Sequence, residues 1–276
     1  MSSERTHYVT TTDGVTLGAT VHGQGPPLVF LQGAVGDGDL DWNRVVERLA
    51  DRFTCHAPSM RGRGRSGDHR DLSVRRQIDD ALDYVDSLGE PVGLVGWSGG
   101  ANHALGAAAR SDAITSVAPF EPVLLGLAEP EQQAVVGQAL GRTGALVAEG
   151  ELADAVRAFL GFPFTEEEIA AADALGYCTA AAPYAPKLLD LLGQVREYGD
   201  PTEDPARLGA ISVPVTVLVG AATKPVFAAG ARHVAEHVPG ARVREIPGAG
   251  HAAPLTHPEA LAAALAEFFT PRHQPA

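Results

Sequence analysis

The sequence predicts an α/β fold: a mostly parallel sheet flanked by helices, with a helical cap inserted into it. Three observations carry this reading. Short, wholly apolar runs at residues 28–31 and 92–95 suit strands covered on both faces. Stretches of helical spacing separate such runs, and strand–helix alternation calls for parallel strands joined by crossovers. From about residue 121 to residue 208 the strand signal stops while alanine and glutamate accumulate, so a helical unit interrupts the alternation.

The elements follow in order. Residues 7–12 and 15–22 alternate around Asp13-Gly14, a tight-turn signal, and read as a hairpin. Residues 28–31 form a buried strand. Leu40, Val45, Val46, Leu49 and Ala50 recur at helical spacing over 40–53, and 53–57 is a strand. An Arg-Gly-Arg-Gly-Arg-Ser-Gly loop at 61–67 leads to a helix over 72–88, a strand at 92–95, a helix over 98–110 and a strand at 114–120. The inserted segment reads as helices over 130–140, 150–160, 165–175 and 183–195, closed by Asp200-Pro-Thr-Glu-Asp-Pro205. A strand at 213–219, a helix at 226–237, a strand at 242–246 and a helix at 258–269 resume the alternation. The chain thus divides into a first core part (1–121), a cap (122–208) and a second core part (209–276).

Composition narrows the function classes. With 276 residues, 45% of them hydrophobic and 20% charged, the chain is an ordinary globular one that buries a substantial core. Its net charge, 21 − 34 = −13, repels phosphates and anionic lipid, which argues against nucleic-acid and membrane partners. Two cysteines make no disulfide framework and suggest a reducing compartment. The Met-Ser-Ser-Glu-Arg-Thr-His start has no apolar signal core, and no apolar run approaches the ~18 residues of a spanning helix. A cytoplasmic monomer or homodimer acting on a small molecule is the expectation.

The strongest motif is Gly96-Trp97-Ser98-Gly99-Gly100, a G-x-S-x-G pattern placed where a strand ends and a helix begins. A serine on so sharp a turn is forced outward, and the small residues two positions away on either side let the backbone bend. The following helix N-terminus offers N–H groups to a developing oxyanion. A serine hydroxyl needs a base. His251, in Pro247-Gly-Ala-Gly-His251 after the last predicted strand, is the candidate. Trp97, beside the nucleophile, is expected at the substrate pocket with Val35 and Phe120; Trp42 is a further candidate, and for Trp42 and Phe120 plain core packing weighs equally.

In these residues and their order the chain resembles the α/β-hydrolase superfamily with a helical cap. The order runs from the hairpin to Gln32-Gly33, Met60-Arg-Gly-Arg-Gly-Arg-Ser66, the elbow, the cap and Gly-Ala-Gly-His251. The resemblance implies an oxyanion hole from the N–H of Gly99 and of Ala34, with Gln32-Gly33 standing where relatives carry His-Gly. It implies no cofactor and no metal. It also implies an aspartate just after the seventh strand, yet Val219-Gly-Ala-Ala-Thr-Lys224-Pro holds no carboxylate. Three accounts stand open. Glu121, at the end of the sixth strand, takes the acid's place; or Ser98 and His251 work as a dyad; or the site performs non-hydrolytic chemistry such as cyclisation, lyase or acyl-transfer reactions. Ser59, where relatives commonly carry aspartate, is a second departure. Epoxide hydrolases and haloalkane dehalogenases of the superfamily attack through aspartate, so Ser98 argues against both.

Weaker signals are set aside. His233-Val-Ala-Glu236-His237 matches a zinc pattern, but its helix lies between core strands. Gly62-Arg-Gly-Arg-Ser-Gly67 matches G-x-G-x-x-G without opening a helix. Its arginines are expected to pair with carboxylates. His103 reads as an ordinary helix residue, and Cys178 has no base beside it.

Overall fold

The computed structural model describes residues 5–270. The first residues of the N-terminal segment read for a signal core lie outside the described residues, as do the outer ends of the segments 1–121 and 209–276. The strands are β1 (Arg5–Thr10), β2 (Thr16–His22), β3 (Pro27–Leu31), β4 (Thr54–Pro58), β5 (Val92–Trp97), β6 (Ile114–Phe120), β7 (Thr216–Gly220) and β8 (Arg242–Ile246). They form one sheet in the order β1-β2-β4-β3-β5-β6-β7-β8. β1 pairs with β2 and β2 with β4 antiparallel; every other neighbouring pair is parallel.

The sheet is covered on both faces, as its apolar strands require. Successive strand side chains point to opposite sides, so Leu28, Phe30, Val95 and Trp97 enter one apolar cluster and Val29, Leu31, Val92 and Leu94 the other. The first cluster takes in α1 (Gly38–Val46) and α12 (Pro258–Phe269). The second takes in α2 (Val74–Asp86) and α3 (Gly99–Ala108) through Ile78, Tyr84, Ala104 and Leu105.

Between β6 and β7 the chain is helical: α4 (Pro130–Glu149), α5 (Leu152–Leu160), α6 (Glu166–Ala174), α7 (Tyr177–Ala181), α8 (Ala185–Tyr198) and α9 (Pro205–Leu208). After β7 come α10 (Pro225–His237) and, before α12, α11 (Ala253–Thr256). No helix among the described residues is long and apolar enough to cross a membrane.

Some bounds differ from the sequence reading. The helix expected over 40–53 ends at Val46; Leu49 and Phe53 stay buried through turns that keep the apolar face without the helix. The helix expected to end at 140 runs on to Glu149, past Gly141 and Gly144, where a side chain would meet open space. Thr143 holds it there by donating to the carbonyls of Ala139 and Ala155. The single turn α7 follows Gly176 at φ +72° and is too short to leave a periodicity.

Candidate active site

The elbow is built by close packing. A Cβ on Gly96 would lie 2.2 Å from the carbonyl oxygen of Gly100, and one on Gly100 would lie 2.3 Å from those of Leu31 and Gln32. Only glycine lets β5, α3 and the loop after β3 meet this closely. Ser98 sits at the turn with φ 56° and ψ −120°. It occupies the N-cap position of α3, where serine ordinarily caps, but its hydroxyl makes no capping bond. Its N–H donates to the carbonyl of Phe120 at 2.9 Å, tying the elbow to the end of β6.

Glu121 follows at once, and it too has positive φ, at 48°. Ser98 and Glu121 are the only non-glycine residues in that region among the described residues. Such strain costs about 1–3 kcal/mol each and persists where the surroundings impose it. The Glu121 side chain is fully buried. One carboxylate oxygen accepts the N–H of Gly220 at 2.8 Å, and the other lies 2.6 Å from His251 Nδ1. With Nδ1 donating to the carboxylate, Nε2 is the nitrogen left for a nucleophile's proton.

His251 is held on several sides. Phe227 stacks on its ring with centroids 3.8 Å apart and planes 17° apart. Trp97 Nε1 donates to its carbonyl at 2.9 Å, and the Trp97 and Phe120 rings lie 5.8 and 6.5 Å away. The structure therefore brings His251 to Trp97, the residue before Ser98, and to Phe120, whose carbonyl accepts the Ser98 N–H, and bonds it to Glu121. Thr223, near the place where the resemblance implied an acid, has a buried hydroxyl with no partner among the described residues.

Ala34 and Gly99 border one cavity, and a Cβ on Gly99 would meet nothing within 4 Å, so this stretch of backbone faces open space. Val35, Trp97 and Phe120 are not part of that cavity's wall. They lie in the apolar packing, where Trp97 also stacks on Phe164 of the inserted segment with centroids 6.3 Å apart. Of the three, Trp97 and Phe120 lie beside the His251 ring.

The loop carrying Ala34 is braced by residues that the sequence did not tie to it. Asp41, buried on α1, accepts the Gly33 N–H at 2.7 Å and the Tyr177 hydroxyl of α7 at 2.8 Å. Buried Arg63 donates to the carbonyls of Val35 and Gly36. Of the three loop arginines, Arg61 pairs with carboxylates as expected, those of Asp13 and Asp80. Arg63 departs from that expectation because the carbonyls of Val35 and Gly36, in the loop after β3, are its acceptors.

Two more ties join the inserted segment to the site. Glu168, through the Thr165–Glu168 capping box of α6, also accepts the N–H of Ala252 at 2.9 Å, the residue after the histidine. Lys224 donates to the carbonyls of Gly161, Phe162 and Phe164 at 3.2, 2.7 and 2.7 Å, just past the C-terminus of α5. Burial lowers the Lys224 pKa from its ordinary value. The capping box was legible in Thr-x-x-Glu; its second task was not, since Ala252 is remote in sequence.

Asp41 gives a pH test. Burial pushes its pKa up to about 7, opposed by the Tyr177 and Gly33 hydrogen bonds. The folded value exceeds the unfolded one, so the protonated carboxyl stabilises the fold fully below about pH 4. That contribution is lost as pH rises through about 7. Asp41→Asn does not titrate, so its melting temperature relative to the wild type is expected to rise between these limits and level off above them. Melting curves at stepped pH check this; a constant difference would refute it.

The family-wide comparisons agree with the architecture. A family model described as "Alpha/beta hydrolase family" matches residues 21–264. An alpha/beta hydrolase from Sphaerobacter thermophilus is 31% identical, with 96% of this chain and 100% of that one covered and a TM-score of 0.74. The enol-lactonase of Burkholderia xenovorans superposes with a TM-score of 0.78 at 21% identity, over 96% of this chain and 100% of that one, a likeness of fold. Among curated relatives, the soluble epoxide hydrolase of Corynebacterium sp. is 34% identical over 103 residues, 36% of each chain. The epoxide hydrolase of Caballeronia sordidicola is 34% identical over 106 residues, 37% of this chain and 32% of that one. The chain thus matches about a third of the length of these curated relatives. A sheet of this order, a strained serine at its β5–α3 turn and a match running through nearly the whole sequence make the chain a member of the alpha/beta hydrolase family.

Proposed function

We propose that the protein is a serine hydrolase that cleaves an ester or thioester of a small to medium, mostly apolar substrate. The observation that carries this reading is the 2.6 Å contact between Glu121 and His251 Nδ1 beside the elbow. In this reading Glu121 stands in for the acid absent after β7, whose absence made non-hydrolytic chemistry the competing reading, and the contact supports hydrolysis. In this reading residues 122–208 act as one cap over the site.

The steps need only side chains, backbone and water. Ser98 Oγ attacks the carbonyl carbon while its proton passes to His251 Nε2. Glu121 holds the imidazole and offsets its charge. The oxyanion rests on the N–H groups of Ala34 and Gly99. The carbon–leaving-group bond breaks as the imidazolium returns the proton to the leaving atom. Water, activated by the same histidine, then releases the acid and restores Ser98.

Epoxide opening is a different case. Attack by an aspartate leaves an ester that water can cleave; attack by Ser98 would leave an alkyl ether with no carbonyl to hydrolyse. The epoxide hydrolase relatives therefore do not lend their reaction to this site.

A fluorophosphonate probe tests the nucleophile. Folded protein is expected to gain the phosphonyl group on Ser98 and to lose p-nitrophenyl ester turnover in parallel. Intact, unlabelled Ser98 after prolonged exposure would end the reading.

A further inference from the structure

The cavity bordered by Ala34 and Gly99 measures about 50 Å³. That is room for a few non-hydrogen atoms, far below the roughly 300 Å³ of a site for a drug-sized ligand. His251 is not in its wall. The imidazole must hand its proton to the leaving atom, so the leaving group lies on the histidine's side. The acyl group is thereby directed to the other side, into this cavity.

The wall is apolar at Val74, Val123, Leu125 and Leu191, and its charged members among the described residues are the carboxylates Asp200 and Glu203. Both have raised pKa values, burial being the largest cause. Asp200 is satisfied by Asn102 Nδ2 at 2.6 Å and by the N–H and hydroxyl of Thr202 at 2.8 and 2.6 Å. Glu203 accepts the Gly126 N–H at 2.7 Å. A substrate carboxylate would meet repulsion here with no cation in the wall to relieve it.

His103 is the exception to this satisfied lining. It is 5% exposed, forms the wall between this cavity and a smaller one bordered by Gln32 and Tyr84, and has no hydrogen-bond partner among the described residues. Burial lowers its pKa to about 4, so the ring is neutral and offers one donor and one acceptor. Its ring nitrogens are not among the fully buried atoms left without a partner, and the residue borders both cavities. Along α3 the backbone rises about 6 Å from Gly99 to His103, and helix side chains lean back toward the N-terminus. With its ring turned to this cavity, His103 would reach an atom some three to five bonds along from a carbonyl held at Gly99.

Resting on the serine-hydrolase reading, we infer that this cavity is the acyl pocket, that it takes a short, uncharged acyl group, and that His103 selects one bearing an oxygen near its fourth carbon. His103 is thus a specificity-determining residue for the acyl half of the substrate.

The test uses p-nitrophenyl esters with one leaving group: pentanoate, 4-oxopentanoate and hydrogen glutarate, each corrected for its uncatalysed rate. Wild-type kcat/KM is expected to be at least tenfold higher for 4-oxopentanoate than for pentanoate, and lowest for the anionic glutarate. In His103→Phe the oxo preference is expected to fall to about one. His103→Gln, which keeps a donor and an acceptor, is expected to retain part of it. Equal wild-type rates on the two neutral esters, a preference that survives in His103→Phe, or faster turnover of glutarate would overturn the inference. The wild-type comparison stands even if a variant fails to fold. Fluorophosphonate labelling separates the two levels: labelled Ser98 without the oxo preference defeats only the role of His103, whereas an unlabelled Ser98 removes the hydrolase reading and this inference with it.

Discussion

Ser98→Ala is expected to lower kcat by about 10⁶, leaving only what the oxyanion donors and binding provide. The melting temperature should change little, because the hydroxyl makes no capping bond and alanine keeps the same backbone. Ser98→Gly offers a sharper companion. Glycine takes φ 56° without the Cβ penalty that alanine retains. The glycine variant is therefore expected to melt above the alanine variant while being equally inactive. Turnover by Ser98→Ala within a hundredfold of wild type would place the chemistry elsewhere.

Glu121→Gln is the second large effect, about 10⁴ in kcat. The amide is nearly isosteric, but it carries one acceptor where the carboxylate has two. Its oxygen can serve either the Gly220 N–H or His251 Nδ1, both of which Glu121 now satisfies. If the oxygen stays with Gly220, the amide N–H₂ faces Nδ1 and drives the imidazole proton to Nε2, the nitrogen that must accept from serine. Glu121→Ala goes further, opening a void in a fully buried spot, and is expected to cost stability as well. A loss under tenfold for Glu121→Gln, with normal melting, would leave Ser98 and His251 working as a dyad.

How far the sequence revealed this site depends on the range of each interaction. Gly96 to Gly100 is a local bend, and its glycines are forced by neighbours in the sheet that any β5–α3 turn of this kind would meet. Strands 114–120 and 242–246 and the helix at 258–269 emerged with the observed bounds. Glu121 stood out as a carboxylate at a strand end, but its bond to His251 spans 130 residues, and composition carries no trace of it. Asp41, Tyr177 and Glu168 were missed for the same reason. Each looks like an ordinary helix residue until an inserted segment folds back over the loop it braces. Arg63 was misjudged because charge suggested a carboxylate partner, while the nearest acceptors proved to be carbonyl oxygens.

The ammonium of Lys224 has a bearing on how such a chain can change. It hangs the end of α5 from the loop after β7 by three carbonyl oxygens. A carboxylate introduced at the adjacent Thr223, toward the acid position implied by the resemblance, would offer that ammonium a stronger mate and draw it off the helix end. The chain just past α5 would lose the anchor that Lys224 now gives it. If Glu121 is the acid of a triad, moving that acid back to position 223 calls for a second replacement that anchors the end of α5 anew.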